Sequence, residues 1–189
     1  MSIKYRINRI DKISKNWKLN KVHPLITSYK IEKNLFNDFK FNLKLYISKA
    51  MSIKFDDNDK KFINNVDKAR NNRRNITPNG AVVPKREYHL EYNLVLRSWC
   101  DLIKNITKKD KKLLKLFRIT PNIRIKFAKE LSENKNRELS TSVPHSDAWV
   151  EGPWGMNCFI PFIGDVKKNN LLYYEPKSKF EEKFLSDSP

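Results

Sequence analysis

Between residues 31 and 53 the apolar side chains Leu35, Phe39, Leu43, Tyr46 and Ala50 recur every three or four positions, which lays them along one face of an α-helix. That face is expected in the core. A second stripe, within residues 85–107, runs through Tyr92, Leu96, Trp99, Ile103 and Ile106, with His89 on the same line and expected to be partly buried there. Between these helices, residues 56–74 are polar and densely charged, and Pro78, Gly80 and Pro84 punctuate residues 75–84. This composition predicts a flexible basic surface loop.

After Pro121 the period shortens to two. Ile123, Ile125 and Phe127 alternate with Asn122, Arg124 and Lys126, the pattern of a half-buried strand with its polar residues on the other face. Residues 130–138 form a charged linker, and 141–145, 156–162 and 171–174 are strand-sized apolar runs, the last two joined by a turn region at 164–170. The order predicts a single α+β domain, mainly helical over 1–118 and stranded over 119–189.

Composition changes this picture little. Lys and Arg number 39 against 21 Asp and Glu, a net charge of +18, which favours polyanionic partners through phosphate neutralisation. The lysines are spread through the first 135 residues among many Asn and Ile, however, as a coding bias would place them. A nucleic-acid footprint is marked by basic residues gathered on one face, and no groove-reading motif or paired zinc spacing accompanies the charge. Nucleic acid is therefore not an expected partner. A mean hydropathy of -0.70 and the lack of a long apolar run exclude a membrane-spanning helix from the expectation. The opening MSIKYRINRIDK does not read as a secretory signal. Cys100 and Cys158 sit in unlike surroundings without metal or disulfide spacing, which points to a reducing, cytoplasmic setting.

Chemistry concentrates at Pro144-His145-Ser146-Asp147-Ala148-Trp149. Residues two apart on a strand point to the same side, so His145 and Asp147 can present an imidazole and a carboxylate to one ion. Two imidazoles and one carboxylate on one face, with the opposite positions open, are the donor set of non-haem Fe(II) oxygenases. Alone the spacing is weak, since roughly one sequence in six with this composition holds such a triplet by chance. Its surroundings add weight: Gly152-Pro153-Trp154-Gly155 makes a turn, NCFIPF follows as a strand, and a charged turn leads into LLYYEP. His89 and His23, the latter placed in an early loop before Pro24, have no companion ligand in the sequence.

VPHSDAW followed by NCFIPFIGDVKKNNLLYYEP resembles the proximal half of the 2-oxoglutarate and Fe(II)-dependent dioxygenases. It is most similar to the sporadic carbohydrate cluster 2OG-Fe(II) oxygenases and more distantly to phytanoyl-CoA dioxygenases. The resemblance covers residues 120–176, and residues 1–118 add only compatible architecture. It implies the first half of a double-stranded β-helix, or jelly roll, with His145 and Asp147 as iron ligands and Fe(II) and 2-oxoglutarate as cofactors. It makes Asn157 and Tyr173 candidates for touching 2-oxoglutarate or substrate, with Arg124 or Lys126 as a carboxylate partner. Trp149 becomes a substrate platform or a packing anchor, and Phe159 and Tyr174 are expected in the core. The implied reaction is hydroxylation of a small molecule, a sugar or surface-glycan precursor, with O2 as co-substrate.

The family supplies a second histidine several strands later, followed by an arginine or lysine that grips 2-oxoglutarate. No histidine follows Asp147 in this chain. The expectation is a C-terminally truncated sequence, with little turnover from a site holding two ligands. Two other readings compete with it: a jelly-roll protein that binds or modifies sugars without metal, and a basic nucleic-acid-binding module.

Overall fold

The computed structural model describes residues 3–72, 74–77, 80–108, 110, 112, 117–127, 156–167 and 173. They fall into two compact units, one holding residues 3–30, 156–161 and 173, the other 31–127 and 162–167.

In the first unit, α1 (Ile3–Trp17) contains no Pro or Gly, and Ile3, Ile7, Ile10, Ile13 and Trp17 step along one side. Ile3 and Trp17 are buried. The helix stops where Lys18 turns left-handed at φ 55° and the Leu19 N–H donates to Ser14 O at 2.9 Å, the long-range bond that closes a helix end. An antiparallel hairpin follows, β1 (Asn20–His23) with β2 (Ile26–Ser28), its register irregular next to His23. His23, expected in a loop, therefore ends a strand, and Lys21 on β1 pairs with Asp11 on α1.

The second unit is built on two packed helices. The apolar stripe expected over 31–53 becomes α2 (Lys33–Met51), and Phe39, Leu43, Tyr46 and Ala50 are buried as their spacing predicts. The second stripe becomes a short 3-10 turn (Arg86–Tyr88) running into α4 (His89–Ile106). Its buried face is rotated from the expected one: Val95 and Leu102 are fully enclosed, whereas Leu96 and Trp99 are half-buried. A polar residue on that face, Ser98, hides the register, because its hydroxyl donates to Leu94 O at 2.9 Å and so tolerates burial. His89 is exposed at the first turn of α4, its Nδ1 2.8 Å from Arg86 O, rather than partly buried.

Aromatic pairs knit α2 to α4. Tyr46 meets Tyr92 at 5.2 Å and Tyr88 at 5.7 Å, and Phe39 meets Trp99 at 6.0 Å; such pairs contribute about 0.5–1.5 kcal/mol each beyond the area they bury. Phe162 stacks on Phe39 at 4.6 Å and Phe36 at 5.2 Å, and is the core anchor of its segment. Phe159, expected in the core, is 61% exposed.

The loop expected over 56–84 is largely ordered structure. Asn58 caps α3 (Asp59–Lys68) by accepting from the Lys61 N–H at 3.2 Å, and Phe62 and Val66, one turn apart, are buried. Two buried apolar residues in ten are enough when a good cap removes an orphan donor. Residues 75–77 and 80–83 pack against α2: Ile76 and Val82 are buried and bridge each other, the Asn75 amide donates to Ala50 O at 2.8 Å, and the Tyr46 hydroxyl donates to Val82 O at 3.2 Å.

One charge lies wholly inside. Lys44 has no exposed side-chain surface, and its Nζ contacts Asp59 Oδ1 at 2.6 Å and the Asp57 backbone carbonyl, 5.9 Å from the centre of the Phe62 ring. Burying an ammonium requires such partners.

Among the described residues the fold is thus α+β, four helices and a two-stranded antiparallel sheet. The run 141–145 lies outside the described residues, as does 171–174 apart from Tyr173, and residues 156–162 form no strand. No helix among the described residues is long and apolar enough to cross a membrane.

Candidate functional site

His145, Asp147 and Trp149, the centre of the sequence-derived site, lie outside the described residues, as does Tyr174. Four proposed contributors are described: Arg124, Lys126, Asn157 and Tyr173.

Arg124 owes its position to a backbone ladder. Gly80 has φ +85°, in the left-handed region open to glycine, and this lets the 80–83 segment run against 123–125 at close range. The Val82 N–H donates to Ile123 O at 2.9 Å, the Ile125 N–H donates to Gly80 O at 2.8 Å, and Ala81 bridges Arg124 antiparallel between them. The alternation expected from sequence follows: Ile123, Ile125 and Phe127 are half-buried, while Asn122, Arg124 and Lys126 are exposed. Arg124 Nε reaches Asn122 Oδ1 only at the long distance of 3.5 Å, so most of the fork is open to a carboxylate. Partial burial, then the neighbouring Arg124 charge, pushes the Lys126 ammonium below its usual range.

Tyr173 and Asn157 belong to the other unit, and both are exposed. The Tyr173 ring meets the His23 ring edge-on, 5.0 Å between centroids at 64°. His23 Nδ1 is buried and has no hydrogen-bond partner among the described residues, an unusual state for an imidazole nitrogen. His23 is thus the residue that sequence reading undervalued. Its only local signal was VHPLI, a β-branched residue and a proline at a two-residue turn.

An imidazole and a carboxylate in H-x-D spacing suit two positions of an iron site. Among the described residues no group of three or more His, Cys, Asp and Glu could hold a metal ion. Compared with known proteins, the chain matches no family model, no curated protein and no solved structure.

Proposed function

We propose that this chain carries the proximal half of a non-haem Fe(II) and 2-oxoglutarate-dependent oxygenase site, with His145 and Asp147 as metal donors. The observation that supports the reading most is the order of sequence elements: the half-buried 122–127 strand, then PHSDAW, a Gly/Pro turn, NCFIPF and LLYYEP. In the structure residues 122–127 keep this alternation of burial, joined to the neighbouring segment by a single bridge at Arg124 rather than as a strand. Bound iron and 2-oxoglutarate would supply the oxidising power to hydroxylate an unactivated C–H bond.

The chain's own residues have simpler tasks. His145 and Asp147 would hold the metal; Asn157 and Tyr173 orient co-substrate or substrate by hydrogen bonding; Trp149 offers a flat face to a sugar ring. The substrate class, a sugar or glycan precursor, follows from the resemblance alone.

Anaerobic titration with Fe(II) and 2-oxoglutarate tests this reading, because a chelated 2-oxo acid gives a metal-to-ligand charge-transfer band. A band abolished by both His145→Ala and Asp147→Ala is expected. No band, or one indifferent to both substitutions, would rule the reading out and leave the metal-independent sugar protein in its place.

A further inference from the structure

The second unit carries a cleft of about 280 Å³ far along the sequence from the proposed iron donors. Its walls come from three pieces of chain: the C-terminal turn of α2 with Ser52 beyond it, the residues Asn72, Arg74 and Asn75, and the 3-10 entry to α4. Ser52 is left-handed at φ 55°, and its N–H and that of Ile53 close the helix onto Lys49 O and Ser48 O. The last α2 carbonyls are thereby satisfied, and the end of the helix presents less uncompensated negative dipole to the cleft.

The lining is cationic on one count and hydroxyl-seeking on another. Lys49, Arg74 and Lys85 contribute three positive charges against one carboxylate, Glu87. Lys49 lies at the 4.0 Å limit of an ion pair with Glu91, and neither Arg74 nor Lys85 has an ion-pair partner among the described residues. Two cations without ion-pair partners among the described residues, beside a third that is only loosely paired, raise the local potential for a small anion. Beside them stand the amides of Asn72 and Asn75. The Asn75 side-chain nitrogen is committed to Ala50 O at 2.8 Å and its Oδ1 is enclosed, out of a ligand's reach, which leaves the exposed Asn72 amide as the hydrogen-bonding group of this wall.

We infer that this cleft is a binding site for a small polyhydroxylated phosphate ester, the phosphoryl group held by Arg74, Lys85 and Lys49 and the hydroxyls by Asn72 and Glu87. Its volume lies at the lower edge of small-molecule pockets, about 300 Å³, which suits a monosaccharide phosphate and excludes a dinucleotide. A ligand carrying both functions satisfies the lining; a bare anion leaves Glu87 facing it unfavourably, and a neutral sugar leaves the cations unmatched. This site does not rest on the iron reading and survives its failure.

The test is calorimetric titration of the whole chain with glucose 6-phosphate, glucose and inorganic phosphate at low ionic strength. Glucose 6-phosphate should bind at least about tenfold more tightly than either fragment, and Arg74→Gln and Lys85→Gln, both exposed and outside the core, should each weaken it roughly tenfold. Raising the salt should weaken it further, since exposed cations are screened. Equal binding of inorganic phosphate and glucose 6-phosphate, binding unchanged in both variants, or no heat at millimolar ligand would each overturn the assignment.

Discussion

Gly80→Ala probes the joint that carries Arg124. A Cβ built on Gly80 falls 2.1 Å from the Ile125 carbonyl oxygen, where real Cβ atoms keep beyond 3.0 Å. The obstacle is backbone, so no rotamer relieves it, and the 123–125 segment has to retreat by more than about 1 Å to restore an ordinary contact. That movement strains the two bonds holding the ladder, Val82 N–H to Ile123 O and Ile125 N–H to Gly80 O, worth about 1 kcal/mol each. Holding alanine at φ +85° adds about 1–2 kcal/mol, while the stiffer unfolded chain returns about 0.5 kcal/mol. The net destabilisation is about 3 kcal/mol, or a melting temperature lower by about 10 °C for a chain of this length. Guanidinium and thermal unfolding followed by circular dichroism measure it. Gly164→Ala is the control: its φ is +108° but nothing lies within 4 Å of the added carbon, so only the backbone strain of about 1–2 kcal/mol applies. A Gly80→Ala variant no less stable than Gly164→Ala would refute the close approach, and with it the placement of Arg124.

Three further outcomes follow from the helical unit. Ser52→Gly should stabilise the chain by about 0.5–1 kcal/mol, because a left-handed helix end at φ 55° suits glycine better than serine; a lower melting temperature would contradict the end geometry. Asp59 is held below the usual carboxylate range, chiefly by its hydrogen bond from Lys44. The stability it contributes is therefore complete above its unfolded pKa near 3.8 and drains away as pH falls through the lower folded value, and Asp59→Asn should flatten the acid limb of the stability profile. Lys44→Met should be close to neutral while Asp59→Asn costs about 2 kcal/mol, since removing a buried pair's charge is cheaper than stranding it; a Met variant that unfolds would show that Lys44 does more than fill its site.

The helices α2 and α4 were legible because each repeats apolar residues over several turns, enough for the period to outweigh any single exception. The α3 helix was not, because only Phe62, Ile63 and Val66 are apolar among its charged and amide residues; its one readable sign was Asn58 followed by Asp59, a cap and a first-turn acid. The hairpin at 20–28 is too short for an alternation to show. Lys44 could not be read at all: a lysine on an apolar stripe looks like an interruption until Asp59, fifteen residues on, supplies its counter-charge. The rotated face of α4 has the same origin, since the burial of Ser98 depends on a bond to its own backbone. For the candidate site, the alternation that exposes Arg124 was legible from residues 122–127. The partnership of His23 with Tyr173 was not, because contacts between distant segments leave no local pattern.

The central claim is that His145 and Asp147 hold a metal ion. The chain has three histidines, so imidazole proton–nitrogen correlation spectra can separate them during an anaerobic Fe(II) titration, with paramagnetic broadening marking any ring near the ion. The His145 signals are expected to broaden first while those of exposed His89 persist, and Asp147→Ala is expected to remove the effect. His145 signals that stay sharp, or broadening that survives Asp147→Ala, would contradict it.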